Sequence, residues 1–197
     1  YPNYEFERSA PILYGLRAIK SQEEVDQMQR ACDITKAGFE RVLQFVKPGV
    51  MEYEIEAEFM HEFLRRGSRG FAYTPIIGSG SNACVLHYHE NDRRMRSGDL
   101  LLIDAGAEIE GLTGDVTRTF PVNGVFSDPQ KAVYQVVLRA LAAGIRACKP
   151  GAAWDRPHRA CVRALTKGLV DLGVLRGDPA SLVKADAYRP FYMHGTV

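Results

Sequence analysis

The sequence lacks the features of an exported or membrane-embedded protein. No apolar run approaches the roughly 18 residues that a membrane-spanning helix needs. The chain begins YPNYEFER, which contains neither an initiator Met nor the basic-then-apolar pattern of a signal peptide. We therefore expect no membrane partner, and we interpret the start of the chain as an excerpt rather than a native N-terminus.

An excess of one charge is also lacking. The 25 basic and 24 acidic residues give a formal net charge of +1 at pH 7. A balanced chain has no electrostatic reason to bind nucleic acid or an acidic membrane surface. The apolar fraction of 46% and the charged fraction of 25% are ordinary for a soluble globular domain of this length.

Cysteines are few and scattered. The four of them form no CxxC pair, which favours reduced thiols and a cytoplasmic location. Cys84, His87 and His89 form a C-x-x-H-x-H pattern, but no second ligand pair follows at zinc-site spacing. We therefore prefer the interpretation without a structural zinc ion.

The helix signals occur in the same order twice. A capping box at residues 21–24 and another at 127–130 each open a long amphipathic helix. Each long helix ends near Lys-Pro-Gly, at 47–49 and 149–151, and a second helix follows. This order indicates an internal duplication. Only the first half continues into β-prone stretches, so we predict that the strands of the second half are missing; the predicted strands are 71–77, 84–88, 99–105 and 116–122.

Two aspartates stand out in LLIDAGAEIEGLTGDVTRTF, residues 101–120. Asp104 ends an apolar run that reads as a buried strand, where an unpaired carboxylate is costly. Asp115 precedes a second β-prone run. If residues 108–111 form a four-residue hairpin loop, the two carboxylates are directly opposite each other, roughly 5 Å apart at Cβ. A two-residue turn at 110–111 would separate them, and the sequence alone does not choose the register.

A directly opposed pair of carboxylates would either share a proton or hold a cation. Carboxylates on rigid strands suit a hydrolytic site with two metal ions. In the competing structural interpretation, Asp115 is a solvated loop residue and Asp104 caps a turn beside Gly106. The spacing alone does not separate the two.

Two histidines are candidates for a role beside such a site. His87 follows a predicted apolar strand and His194 follows the aromatic run RPFYM. A histidine at a strand end beside a metal can bind substrate or stabilise charge in a tetrahedral intermediate. A lone histidine can equally be structural, and position alone does not decide.

Three stretches together resemble the catalytic domain of aminopeptidase P, the Xaa-Pro aminopeptidases of the pita-bread metallopeptidase family. They are IIGSGSNACVLHYHEN, GDLLLIDAGAEIEGLTGDVTRTFPVNG and RPFYMHG. The resemblance runs from Leu16 onward. It implies an α+β pita-bread fold, with a mixed or antiparallel sheet flanked by helices, over residues 16–197, and leaves residues 1–15 as an entry segment.

The resemblance also implies roles for individual residues. Asp104 and Asp115 match two metal-binding aspartates, and His87 and His194 match two histidines of the substrate site. Such enzymes use two divalent ions, usually manganese, to activate a hydroxide that attacks the carbonyl before proline. The implied partner is a peptide with proline in second position, and a homo-oligomer is compatible with the sequence.

The sequence departs from the family pattern at its end. It stops at Val197, before the positions of a further histidine and two glutamate ligands. The alternatives are prolidase, which takes Xaa-Pro dipeptides, and a non-catalytic pita-bread binding module. LHYHENDRRMR and FPVNG favour aminopeptidase P over prolidase, and both metal-binding aspartates are present, unlike in typical non-catalytic members.

From this departure we predict that the 197-residue chain does not hydrolyse Xaa-Pro peptides at a measurable rate. Two carboxylates cannot fix a dinuclear centre, and misplacing a reacting group can alone cost ~100-fold in rate. The assay is proline-peptide cleavage with added manganese, measured beside a longer version of the chain. Turnover equal to that of the longer version would contradict the prediction.

Overall fold

The computed structural model describes residues 7–192, and the chain divides into two compact units between Val125 and Phe126. The first unit contains α1 (Ala10–Ala18), α2 (Gln22–Phe45), α3 (Glu52–Arg65), β1 (Ile76–Ser79), β2 (Leu100–Ala105), β3 (Glu108–Ile109), β4 (Leu112–Thr113) and β5 (Val116–Pro121). The second contains α4 (Asp128–Ala147), α5 (Arg156–Asp171) and α6 (Pro179–Lys184). Up to residue 192, the second unit has no strand, as the sequence predicted. Within the described range, no helix combines the length and apolarity needed to cross a bilayer.

The two capping boxes begin their helices where the sequence predicted. Ser21 Oγ accepts the Glu24 N–H at 3.3 Å, and the Glu24 carboxylate accepts the Ser21 N–H at 2.7 Å. The hydrogen bond from the Ser21 backbone N–H holds the pKa of Glu24 below its usual value. Ser127 and Gln130 make the same reciprocal pair at the start of α4. The predicted order of long helix, Lys-Pro-Gly and second helix is confirmed in both units.

The predicted entry segment at residues 1–15 includes the start of a helix. Helix α1 spans Ala10–Ala18 and therefore crosses the predicted boundary between residues 15 and 16. Pro11 lies in its first turn, where its fixed φ angle and missing N–H are tolerated.

Strand β2 is the centre of the main sheet. The strand order is β1-β2-β5 and both pairings are antiparallel. Successive side chains of β2 alternate between faces, so Leu101, Ile103 and Ala105 are fully buried. Asp104 lies on the opposite, partly exposed face. The apolar run therefore does not force the Asp104 carboxylate into the core.

Helices α2 and α3 share the core with the buried face of this sheet. The rings of Phe39 and Phe59 pack edge to face with centroids 5.0 Å apart. Gly38 permits this approach, because a Cβ there would lie 2.6 Å from the Phe59 ring. The same core continues into β2 through Leu101 and Ile103.

The structure differs from two of the predicted strands, one in its length and the other in its secondary structure. Only residues 76–77 of the predicted 71–77 strand belong to β1. The predicted strand at 84–88 is absent; a short 3-10 helix at Gly80–Cys84 leads into an irregular loop. Val85 and Leu86 are exposed there, while the Tyr88 side chain is buried and hydrogen-bonded. Polar contacts of the loop override the β-propensity of its apolar residues.

Gly106 is required by a close backbone contact between the segments that follow β2 and precede β5. A Cβ at Gly106 would lie 1.7 Å from the carbonyl oxygen of Gly114. We predict that Gly106→Ala lowers the free energy of unfolding by about 3 kcal/mol or more, because both sides of the clash are backbone. Urea unfolding followed by circular dichroism measures the loss.

Gly15→Ala is the matched control for this substitution. Gly15 lies inside α1, and a Cβ there would meet nothing within 4 Å. Its replacement by alanine should leave stability unchanged or raise it by about 0.5–1 kcal/mol. Equal effects of the two substitutions would contradict the role assigned to the contact.

Candidate active site

The hairpin that carries the two aspartates uses the two-residue turn. Glu110 and Gly111 both have positive φ angles, 51° and 83°, as in the tight turns that match strand twist. Ile109 pairs with Leu112, and in the same register Asp104 pairs with Thr117. Of the two registers that the sequence left open, the structure therefore has the one in which Asp104 and Asp115 are not directly opposite each other. Gly111 tolerates the left-handed conformation, which makes the shorter turn accessible.

The two carboxylates nevertheless meet. Asp115 immediately precedes β5 and lies two residues before Thr117, so it is the diagonal neighbour of Asp104 on the same face. The Tyr73 hydroxyl lies 2.5 Å from Asp104 Oδ1 and 3.0 Å from Asp115 Oδ1. Both acidic side chains therefore converge on one phenolic oxygen.

Helix α2 fixes the backbone between the two aspartates. Thr35 is fully buried; its Oγ1 donates to Ala31 O at 2.8 Å and accepts the Ala107 N–H at 2.9 Å. Ala107 O in turn accepts the Gly114 N–H at 2.9 Å. The buried Thr35 hydroxyl both donates and accepts a hydrogen bond. It therefore fixes the backbone conformation of the chain between Asp104 and Asp115.

A cavity of about 440 Å³ lies over the carboxylates. Besides Asp104, Asp115 and Tyr73, its lining includes His87 and His89; the other lining residues are Thr74 and Ile76. The rings of His87 and His89 are nearly parallel, with centroids 6.4 Å apart. All the described lining residues belong to the first unit, and none of them is Lys or Arg.

The structure thus brings three of the four predicted site residues to one cavity: Asp104, Asp115 and His87. His194 lies outside the described residues. His87 belongs to an irregular loop rather than to a strand end, and its φ angle is 52°. Cys84 is an exposed free thiol, and in the described part of the chain no three His, Cys, Asp or Glu side chains form a metal-binding group.

The donor set fits a cation. A phenol has one hydrogen, so it cannot donate a full hydrogen bond to two carboxylates at once. The remaining negative charge needs a shared proton or a positive ion. Carboxylate oxygens are the ligands that Mg²⁺ and Mn²⁺ prefer. Asp104 and Asp115 are therefore suited to holding a divalent metal ion, of which they would be two ligands.

The sequence patterns did not identify Tyr73 or Thr35 as residues of the site, for different reasons. Tyr73 lies in the segment FAYTP before β1, where no periodic pattern marks a side chain that turns toward the aspartates. Thr35 does carry a signal, because it is a polar residue on the apolar face of α2 between Ile34 and Gly38. A buried threonine on such a face indicates a hydrogen-bonded partner.

The environment of Tyr73 leads to a prediction about pH. Burial, the hydrogen bond to Asp104 and the charges of both aspartates raise the pKa of Tyr73 well above its ordinary value of 10.0. In the unfolded chain the phenol loses its proton near pH 10, while the folded protein retains it. The stabilisation from Tyr73 is therefore full below about pH 10 and is lost as the pH rises above it.

At pH 8 we expect the free energy of unfolding to be larger for the wild type than for Tyr73→Phe. This difference should become smaller as the pH rises from 10 to 11. Urea unfolding of both proteins at each pH measures the difference. A constant difference over this range would show that the phenol is not held protonated by the carboxylates.

The chain is similar in sequence to known proteins. Over 185 residues the chain is 48% identical to the Xaa-Pro aminopeptidase of Haemophilus influenzae and 37% identical, over 190 residues, to the human Xaa-Pro dipeptidase. These alignments cover 94% of this chain in each case, but 43% and 38% of the relatives. The chain thus spans less than half the length of these relatives.

A solved structure is also similar. Zinc-substituted Escherichia coli aminopeptidase P in complex with product superposes with a TM-score of 0.92 at 45% identity, over 95% of this chain and 42% of that one. The predicted α+β pita-bread fold is confirmed over the part of the fold that the chain covers. Residues 26–197 match the model of metallopeptidase family M24. The chain belongs to the M24 family of metallopeptidases.

Proposed function

We propose that this chain supplies part of the active site of an Xaa-Pro aminopeptidase, a hydrolase that removes the N-terminal residue from peptides with proline in second position. The observation that carries the proposal is the convergence of the Asp104 and Asp115 carboxylates on Tyr73 at the floor of one cavity. Similarity to the Haemophilus influenzae and Escherichia coli proteins supports the same activity.

Asp104 and Asp115 are proposed to be two of the ligands of a pair of divalent metal ions, with manganese as the preferred species. Oxygen ligands suit manganese. The Escherichia coli relative has also been prepared in a zinc-substituted form, which supports a site that accepts more than one metallic element. When bound, the ions would supply Lewis acidity and an activated water at neutral pH. Tyr73, protonated and in contact with both carboxylates, orients their oxygens.

His87 and His194 are proposed to act on the substrate. His87 lines the cavity beside the carboxylates, within reach of a peptide bound there. An imidazole N–H can donate to the carbonyl oxygen of the scissile bond and stabilise negative charge as it develops. His194 is assigned the same class of role by the family resemblance of RPFYMHG alone.

The setting of the protein is also proposed. Free Cys32, Cys84, Cys148 and Cys161 are consistent with a reducing cytoplasm. The near-neutral charge gives no reason to expect a nucleic-acid partner, and a homo-oligomer is compatible with the chain.

Metal binding tests the site directly. We expect Mn²⁺, followed by the electron paramagnetic resonance of the free ion, to bind the chain, and Asp104→Asn or Asp115→Asn to weaken binding by about tenfold or more. Asp171→Asn is the control: Asp171 lies on α5, exposed and paired with Lys167. Equal affinity in all four proteins would remove the basis for the proposed centre.

Hydrolysis tests the substrate class. The chain extended with the corresponding C-terminal segment of the Haemophilus influenzae relative should release the first residue of a longer Xaa-Pro peptide faster than it cleaves an Xaa-Pro dipeptide. A preference for the dipeptide would favour the prolidase alternative. Metal binding without cleavage of either peptide would favour a non-catalytic module.

A further inference from the structure

We propose that Glu52 is a positioning residue that holds His87 at the cavity through Tyr88. This inference rests on the proposed function, because the position of His87 matters to catalysis only if the cavity binds substrate. Glu52 itself does not line the cavity; it lies at the start of α3 and is fully buried.

One oxygen of Glu52 holds the end of β1. Glu52 Oε1 accepts two hydrogen bonds from Ser79, from its backbone N–H at 2.6 Å and from its hydroxyl at 2.7 Å. Ser79 is also fully buried. A buried carboxylate needs such donors, because they replace the hydrogen bonds that it makes to water.

The other oxygen holds the loop that carries His87. Glu52 Oε2 accepts the Tyr88 hydroxyl at 2.7 Å and the Arg93 N–H at 3.0 Å. The two oxygens together therefore fix residues 79, 88 and 93. Burial and the hydrogen bond to Glu52 raise the pKa of Tyr88 to about 12, so the phenol is a protonated donor at neutral pH.

His87 is exposed and directly precedes Tyr88, which is 6% exposed, so the buried Tyr88 side chain anchors the backbone that carries His87. Its φ angle of 52° is unfavourable for a residue with a side chain and persists only where surrounding contacts determine it. Asn91 holds the far side of the loop, since its side chain accepts the Ile77 N–H at 3.0 Å and donates to Pro75 O at 3.2 Å.

A purely structural role for Glu52 makes a different prediction. Removing a satisfied buried carboxylate lowers the unfolding temperature whatever the loop carries. If Glu52 also positions His87, its removal should make the His87 ring mobile at temperatures well below unfolding. The rings of the other histidines should keep their order. The distinguishing measurement is therefore the order of the His87 ring in the folded protein.

The experiment is ¹³C relaxation of the histidine Cε1–H groups in the 197-residue chain without metal, with His87 assigned by His87→Gln. The test variants are Tyr88→Phe, which removes one hydroxyl, and Glu52→Gln. Their matched controls are Tyr53→Phe and Glu40→Gln, since the Tyr53 residue and the Glu40 side chain are more than half exposed.

We expect the order parameter of the His87 ring to fall in Tyr88→Phe and further in Glu52→Gln, and to stay at the wild-type value in both controls. His61 on α3 serves as an internal reference in every sample. An unchanged His87 order parameter in folded Tyr88→Phe overturns the proposal, even if the unfolding temperature falls. Should Glu52→Gln fail to fold, Tyr88→Phe decides alone.

The same samples separate this inference from the proposed function. Mn²⁺ added to the wild type should broaden signals from residues beside Asp104. Absence of that broadening counts against the metal centre, whereas the ring relaxation, measured without metal, still decides whether Glu52 and Tyr88 hold His87.

Discussion

The buried carboxylate of Glu52 is the interaction on which the arrangement of the first unit depends. It joins the start of α3, the end of β1 and the loop after the 3-10 helix through donors from Ser79, Tyr88 and Arg93. Burying a charge is costly, so each donor is needed, and each fixes a different part of the chain. The apolar core brings helices and sheet together, while Glu52, with Asn91, holds the irregular segment between them.

Different interactions hold the carboxylates of Asp104 and Asp115 in place. The main sheet supplies their common face, and Thr35 supplies the hydrogen bonds that fix the chain between them. The contact of Gly106 with Gly114 brings the two segments closer than side chains would permit. The two carboxylates are thus kept together by backbone constraints and by their shared contact with Tyr73.

Local signals predicted helices α2 to α5 and the central strand well, because capping boxes and apolar periodicity act over a few residues. Residues 84–88 were mispredicted as a strand, since Tyr88 is held by a hydrogen bond to Glu52, 36 positions earlier in the chain. The hairpin register was left open because a difference of two residues in loop length changes no apolar pattern. The pairing of Asp104 and Asp115 on one face was accessible from sequence, whereas the contribution of Tyr73 depends on how the segment before β1 turns.

The hairpin between the aspartates also limits how the sequence can change in length. Side chains alternate faces along a strand, so one residue inserted or deleted within a strand segment between Asp104 and Asp115 would turn one carboxylate to the far side of the sheet. A change of two residues at the Glu110–Gly111 turn would lengthen the loop and keep both carboxylates on their face. Related sequences that retain the centre should therefore vary in length at the turn rather than within the strand segments.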